Sequence, residues 1–192
     1  MGRFMNHKKW VVVLALIATA LILTHLPVSE ADAAASASDF LIEGSTLTKY
    51  RGTDERVTIP DTVEVVGESA FENNQKVQLV VVPKSVKRMD AYVFWGCDNL
   101  EEVVLGKGLT AVDEYAFAGC TGLKQITIPE NVQSIDAQAF AGCTNLTDIY
   151  IPDTVTSIAD DAFLNCDNVT IHADEGSVAE KFAQKLAEQK SQ

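Results

Sequence analysis

A solenoid of stacked, right-handed parallel β coils is the fold class this sequence predicts, and three in-phase series carry the prediction. Phe71, Phe94, Phe117, Phe140 and Phe163 follow one another at a step of 23 residues. Cys97, Cys120, Cys143 and Cys166 keep that step, as do Pro60, Pro83, Pro129 and Pro152, with Gly106 in the remaining proline slot. A fixed period in the 20–29 range with apolar residues locked in phase is the pattern of a leucine-rich-repeat solenoid. About five 23-residue repeats are expected. An N-terminal β cap and a C-terminal capping helix should close them, because a solenoid exposes an apolar face at each end.

Residues 1–33 read as a signal peptide. Arg3, Lys8 and Lys9 form a basic start, residues 10–23 are almost wholly apolar, and Ala31-Asp32-Ala33 offers small residues where a signal peptidase reads. Thr24, His25 and Pro27 leave the apolar run short of the roughly 20 residues a membrane span needs, so cleavage is expected rather than an uncleaved anchor. Residues 34–53 follow as leader and N-terminal cap. Phe40-Leu41-Ile42 and Leu47-Thr48-Lys49-Tyr50 read as short strands around a Gly44-Ser45 turn. The segment lacks the Phe–Cys signature and is read as a cap, not as a repeat.

Residues 54–172 are the repeats. Each opens with a pattern such as Leu100, Val103, Leu105 or Leu146, Ile149, Ile151, whose alternation is that of a strand with one buried face. Proline ends the ladder because it has no N–H to give. In the third repeat Gly106-Lys107-Gly108 replaces the proline turn, and a looser strand exit is expected there. A second short strand follows, as in Val132-Gln133-Ser134-Ile135, and then Asp-x-x-Ala-Phe, read as one helical or 3₁₀ turn. The slot before each cysteine holds Gly96, Gly119, Gly142 or Asn165, with Asn73 in the first repeat. Glycine and asparagine interchange where φ is positive, so this is the turn into the next coil. Residues 173–192 are the C-terminal capping helix. Ser177 and Glu180 form a capping box, and Ala179, Phe182, Ala183, Leu186 and Ala187 line one face.

The formal net charge is −12. Loss of residues 1–33 removes three basic and two acidic groups and makes it −13. Such a surface repels phosphate backbones and anionic headgroups, which excludes nucleic acid as a partner and leaves membrane contact to an uncleaved signal sequence. Four cysteines in an exported chain normally suggest disulfides. Here they share one repeat slot, and although coils roughly 5 Å apart bring neighbours within bonding reach, a column of buried thiols is the simpler expectation. No metal or cofactor is expected, since CxxC spacing, phosphate loops, HExxH and EF-hand patterns do not occur.

The unit from Asp98-Asn99-Leu100 through Ile-Pro to Ala-Phe-x-Gly-Cys resembles the BspA-like, or Treponema-type, leucine-rich repeats over residues 40 to about 187. The resemblance implies an exported or surface protein of bacteria. Several members resemble adhesins for host matrix or other cells, and the family offers no catalytic residues to carry over.

On each strand the residue between the inward two must point out: Thr58, Val81, Val104, Thr127 and Tyr150. Two places earlier the same face carries Arg56, Leu79, Glu102, Gln125 and Asp148. Leu79, Val81, Val104 and Tyr150 are apolar for an exposed face and suit a protein contact, although strand propensity alone also favours such residues. Trp95 stands where other repeats have Glu72, Ala118, Ala141 or Leu164, so the core does not require it. It is a candidate anchor for a partner, or else packs over Val93. Lys84, Lys87 and Arg88 form a basic island that reads as a solvated turn. Beyond the signal segment His172 is the sole histidine, expected on the surface and without a nucleophile motif beside it.

The resulting expectation is a monomeric, secreted or cell-surface binding module that recognises an extracellular protein or glycan through its strand face and performs no catalysis. The alternative is an accessory repeat piece of a surface assembly with no ligand of its own; a hydrolase is the remote third.

Overall fold

The computed structural model describes residues 35–190, so the signal-peptide expectation lies outside the described residues. A 3₁₀ turn (Ala37–Asp39) leads into an antiparallel hairpin of β1 (Phe40–Glu43) and β2 (Thr46–Tyr50), turned by Gly44 at φ 63°. Two columns of short parallel strands follow. The first holds β3 (Arg56–Thr58), β5 (Leu79–Val81), β7 (Glu102–Val104), β9 (Gln125–Thr127), β11 (Asp148–Ile151) and β13 (Thr170–Ala173). The second holds β4 (Val65–Val66), β6 (Arg88–Met89), β8 (Ala111–Val112), β10 (Ser134–Ile135) and β12 (Ser157–Ile158). The chain ends in α1 (Val178–Lys190).

The strands of the first column are three or four residues long, and Val57, Val80, Val103, Ile126 and Ile149 are buried in them between more open neighbours. A tight turn ends it, in which the carbonyl of Pro60, Pro83, Pro129 or Pro152 accepts from the valine N–H three residues on. Gly106 makes the same turn to Leu109.

Between the second strand and the next coil lies a third wall made of turns. The expected helical or 3₁₀ turn at Asp-x-x-Ala-Phe does not form. Ser69, Tyr92, Tyr115 and Gln138, in the middle of that motif, have φ between 53° and 60°, which no right-handed helical turn accommodates. The N–H groups of Ser69, Tyr92 and Tyr115 and those of Phe71, Phe94 and Phe117 donate instead to carbonyls of the next coil, as in Phe94 to Ala116 at 2.8 Å and Phe117 to Ala139 at 2.8 Å. The second left-handed position is where glycine and asparagine predicted it: Asn73, Gly96, Gly119, Gly142 and Asn165 all have positive φ.

The core is a column of rings. Tyr50, Phe71, Phe94, Phe117, Phe140 and Phe163 stack with centroids 5.0–5.3 Å apart. Phe40 closes the column at one end at 5.1 Å and Phe182 of α1 at the other at 5.8 Å. Tyr50 thus fills the aromatic slot of a further coil, and β2 joins the second strand column by pairing in parallel with β4. The solenoid therefore has about six turns where the strict period gives five. The segment 49–50 escapes the 23-residue count because Tyr50 precedes Phe71 by 21 residues.

The cysteines form a second column beside the rings. All four are buried thiols and none is in a disulfide. Each Sγ–H donates to the phenylalanine carbonyl of the coil before: Cys97 to Phe71, Cys120 to Phe94 and Cys143 to Phe117 at 3.1 Å, Cys166 to Phe140 at 2.9 Å. In coil 1 Asn74 replaces the thiol and its amide reaches Gly52 at 3.4 Å. Asn99 and Asn145 add an outer ladder, donating to the carbonyls of Gln75 and Thr121 at 2.8 Å.

Both strand columns are interrupted at one point of the chain. The sheets β3-β5-β7 and β1-β2-β4-β6 lie before residue 105, and β9-β11-β13 and β8-β10-β12 after it. Gly106-Lys107-Gly108 links the two sets, and it is a tight passage rather than the looser exit expected. A Cβ on Gly106 would lie 2.4 Å from the Pro83 carbonyl oxygen, and one on Gly108 only 2.2 Å from that of Lys84. No side chain fits that gap, which is why the proline of the other coils is missing here. The turn wall and the ring column run through the interruption without a break.

α1 begins at Ser177, whose Oγ accepts from Glu180 N–H at 3.0 Å. The Glu180 carboxylate reaches back one residue further than in a standard capping box, to Gly176 N–H at 2.7 Å. Ala179 and Phe182 are buried against the last coil, while Val169, Ile171, Ala183 and Leu186 line a shallow crease.

Two consequences are measurable. Phe117→Ala removes the ring at the centre of the column and should cost about 3–5 kcal/mol in urea unfolding, because neighbouring coils are held apart by their own rings and cannot collapse into the gap. Burial pushes Cys97 up to about 12 and Cys120 well above the usual thiol range; Cys143 is raised by its hydrogen bond with Cys166 and then by burial. The thiolate is the reactive form. Ellman's reagent at neutral pH should therefore titrate none of the four thiols in the native protein and all of them in guanidinium.

Candidate functional site

The outward face of the first strand column is assembled by register alone. Arg56, Leu79 and Glu102 stand in one row, and Thr58, Val81 and Val104 in the row beside it. Beyond the interruption the rows continue as Gln125, Asp148, Thr170 and as Thr127, Tyr150, His172. All ten predicted strand residues are thus on one face, exposed or half-buried, while the residue between each pair is in the core. The apolar members divide into two groups: Leu79, Val81 and Val104 before the interruption, Tyr150 after it. The exposed pair Lys124–Glu101, at 2.7 Å, bridges the gap at one edge.

Charge on this face is set by local partners. Partial burial raises the Glu102 carboxyl, and Arg56, across Leu79, opposes that shift. Asp148 Oδ1 lies 2.7 Å from His172 Nε2, and this hydrogen bond, followed by one from Thr147, holds the Asp148 carboxyl below its ordinary range. The Tyr150 ring stacks on the His172 imidazole with centroids 4.4 Å apart and planes 12° from parallel. Burial and then the Asp148 charge raise the Tyr150 hydroxyl.

His172 is therefore not an isolated surface residue but a member of the sheet face. The signal that identifies it is a shortened repeat: Ile171 pairs with Ile149 at a step of 22 rather than 23, which places His172 opposite Tyr150. Histidine and aspartate in this contact are the base and its orienting group in many hydrolytic sites. Here the outward row puts Tyr150 and Thr127 beside the histidine, with no serine or cysteine.

Trp95 does not join this face. It lies on the turn wall, 40% exposed and edge-on to Tyr92 at 6.5 Å. Of the basic island, Lys84 and Lys87 are exposed and Arg88 pairs with Asp90 at 2.5 Å. Among the described residues no group of histidine, cysteine and carboxylate side chains is arranged to hold a metal ion, and no helix is long and apolar enough to cross a membrane.

Residues 49–170 match the profile of the BspA type leucine rich repeat region in six copies. The chain belongs to that family. Its fold is also that of a leucine rich cell surface protein from Faecalibacterium prausnitzii, at 34% identity and TM-score 0.67, over 72% of this chain and 37% of that one. A leucine rich repeat protein of T. pallidum matches at 26% identity and TM-score 0.69, over 72% and 71% of the two chains. One from Bacteroides ovatus matches at 27% identity and TM-score 0.60, over 71% and 41%. The chain thus spans about a third of the length of the Faecalibacterium protein. No curated protein matches it. It is a leucine-rich-repeat protein of bacterial cell-surface type, from a family whose members are generally surface-associated and typically non-catalytic.

The Asp148–His172 contact makes a prediction with a definite sign. A depressed carboxyl contributes stability above its unfolded pKa and loses it as pH falls through the folded value. Both side chains are more than a third exposed, at 39% and 34%, so the contribution is discounted to a few tenths of a kcal/mol. Melts of wild type and Asp148→Asn between pH 5 and pH 2 should show the wild type losing more stability on acidification, by about that amount.

Proposed function

We propose that this protein is an exported, monomeric binding module that recognises an extracellular protein or glycan through the outward face of its first strand column, without catalysis and without a cofactor. The observation that carries the reading is the content of that face. Leu79, Val81 and Val104 stand contiguously on it, and the Tyr150–His172 stack extends it at the far end. None of these side chains fills the core, whose residues are the alternate ones, so the solenoid does not need them to be apolar. Aromatic and aliphatic groups rimmed by Arg56, Glu102, Gln125 and Asp148 match the composition of a protein contact. Six coils at about 5 Å each give a sheet roughly 25–30 Å across, the footprint of one modest contact. Family membership supports a place at the bacterial surface, and the basic, apolar, small-residue order of residues 1–33 supports export.

The test is surface binding of the protein to immobilised extracellular-matrix proteins and bacterial surface glycans. Leu79→Ser and Tyr150→Ala, each on the outward face, should weaken the recognised ligand tenfold or more while leaving the melting temperature within a few degrees. Binding indifferent to both substitutions would remove the strand face as the site and leave the accessory-repeat reading.

A further inference from the structure

The turn wall carries three aromatic side chains that the core does not use. Tyr92 and Tyr115 occupy the slot that holds Ser69 in coil 1 and Gln138 in coil 4, and Trp95 the slot that holds Ala118 and Ala141. The solenoid evidently closes over short or polar residues at both positions. The tyrosines are moreover placed at φ 60° and 55°, a conformation that bulky side chains rarely adopt. They stack on each other across the coil step, 4.8 Å apart and 6° from parallel, and Trp95 stands at 85° to Tyr92. In the coil before Tyr92 the same slot holds Ser69, which brings no ring to continue the stack, and Tyr92 is half-buried. The Tyr92 ring and the partly exposed indole of Trp95, at right angles, thus form a corner on this wall.

The surroundings of that corner are acidic. Glu68 and Glu114 are exposed and lie near enough to the Tyr92 hydroxyl to act on it. Asp113 is half-buried in a column with Asp90 and Asp136. Two cations near the wall have partners of their own. Lys49 donates to the Ser69 carbonyl at 2.8 Å, and Arg88 pairs with Asp90.

We propose that this wall is a second binding site, separate from the strand face, that takes an arginine-presenting segment of a partner protein. Guanidinium is planar, stacks on an aromatic face and pairs with carboxylates at its edge, so it satisfies the rings and the acids together. Lysine, a compact and strongly hydrated charge, satisfies the acids but stacks less well. A neutral sugar would stack on the rings and gain nothing from the surrounding negative field.

The site is tested in the full chain carrying Trp10→Phe, which leaves Trp95 as its single tryptophan. Titration with hexa-arginine at low salt should shift Trp95 emission in a saturable way, at least threefold more tightly than hexa-lysine. The combined change Tyr92→Ser, Tyr115→Gln and Trp95→Ala installs residues the solenoid already holds at these slots. Followed by anisotropy of a labelled peptide, it should weaken hexa-arginine tenfold or more, whereas Tyr150→Ala on the strand face should leave it unchanged. Equal affinity in the triple variant would reduce the effect to general charge attraction and overturn the proposal. So would an emission change with neutral chitohexaose and none with hexa-arginine, which would make the corner a sugar site. The emission titration uses no substitution on the wall, so it decides the matter even if the triple variant does not fold.

Discussion

Every coil of this protein must lie directly over the one before it, about 5 Å away, and that single constraint organises the rest. A ring 5 Å from its predecessor can only be another ring of similar breadth, so the column keeps phenylalanine in five coils and tyrosine in the coil that precedes them. A thiol small enough to be buried in the same layer reaches the carbonyl of the previous phenylalanine, and does so four times in nearly the same geometry. The two columns solve different problems. The rings remove apolar area from water, and the thiols bring a second donor, from the next coil, to phenylalanine carbonyls that already accept from the N–H three residues on.

The same constraint sends variation outward. Slots facing the core are repeated, whereas those facing water are free to differ from coil to coil, and both proposed binding surfaces are made of them. The strand face takes aliphatic and aromatic residues in two rows, and the turn wall takes the tyrosine pair, the indole and the carboxylates. Each offers a shallow, wide contact, which is what a stacked coil can build. The interruption after residue 104 divides the strand face without dividing the core, because the ring column and the turn wall carry the stacking across it.

Much of this was legible in the residues. The ring, thiol and proline series gave the fold, and alternation along Leu-x-x-Val-x-Leu assigned the outward strand residues. The glycine–asparagine slot located one positive φ per coil, since few other residues tolerate it. What escaped did so for identifiable reasons. Tyr50 and His172 stand at 21 and 22 residues from their partners, so a strict period of 23 passes over both ends of the solenoid. The second left-handed position is filled by serine, tyrosine and glutamine, none of which announces positive φ, and its motif resembles the start of a helix. The Gly106–Gly108 passage suggested freedom, yet it marks a close approach of backbone to backbone.

The sequence by itself determined which side chains face the core, because burial repeats with the chain and repetition is visible in one dimension. Only the tertiary structure decided which exposed residues become neighbours. Contacts such as Tyr150 on His172, Tyr92 on Tyr115 and Asp148 with His172 join residues more than twenty positions apart. They depend on the register of one coil on the next, and a one-residue change in coil length resets that register without altering the pattern from which the fold is read.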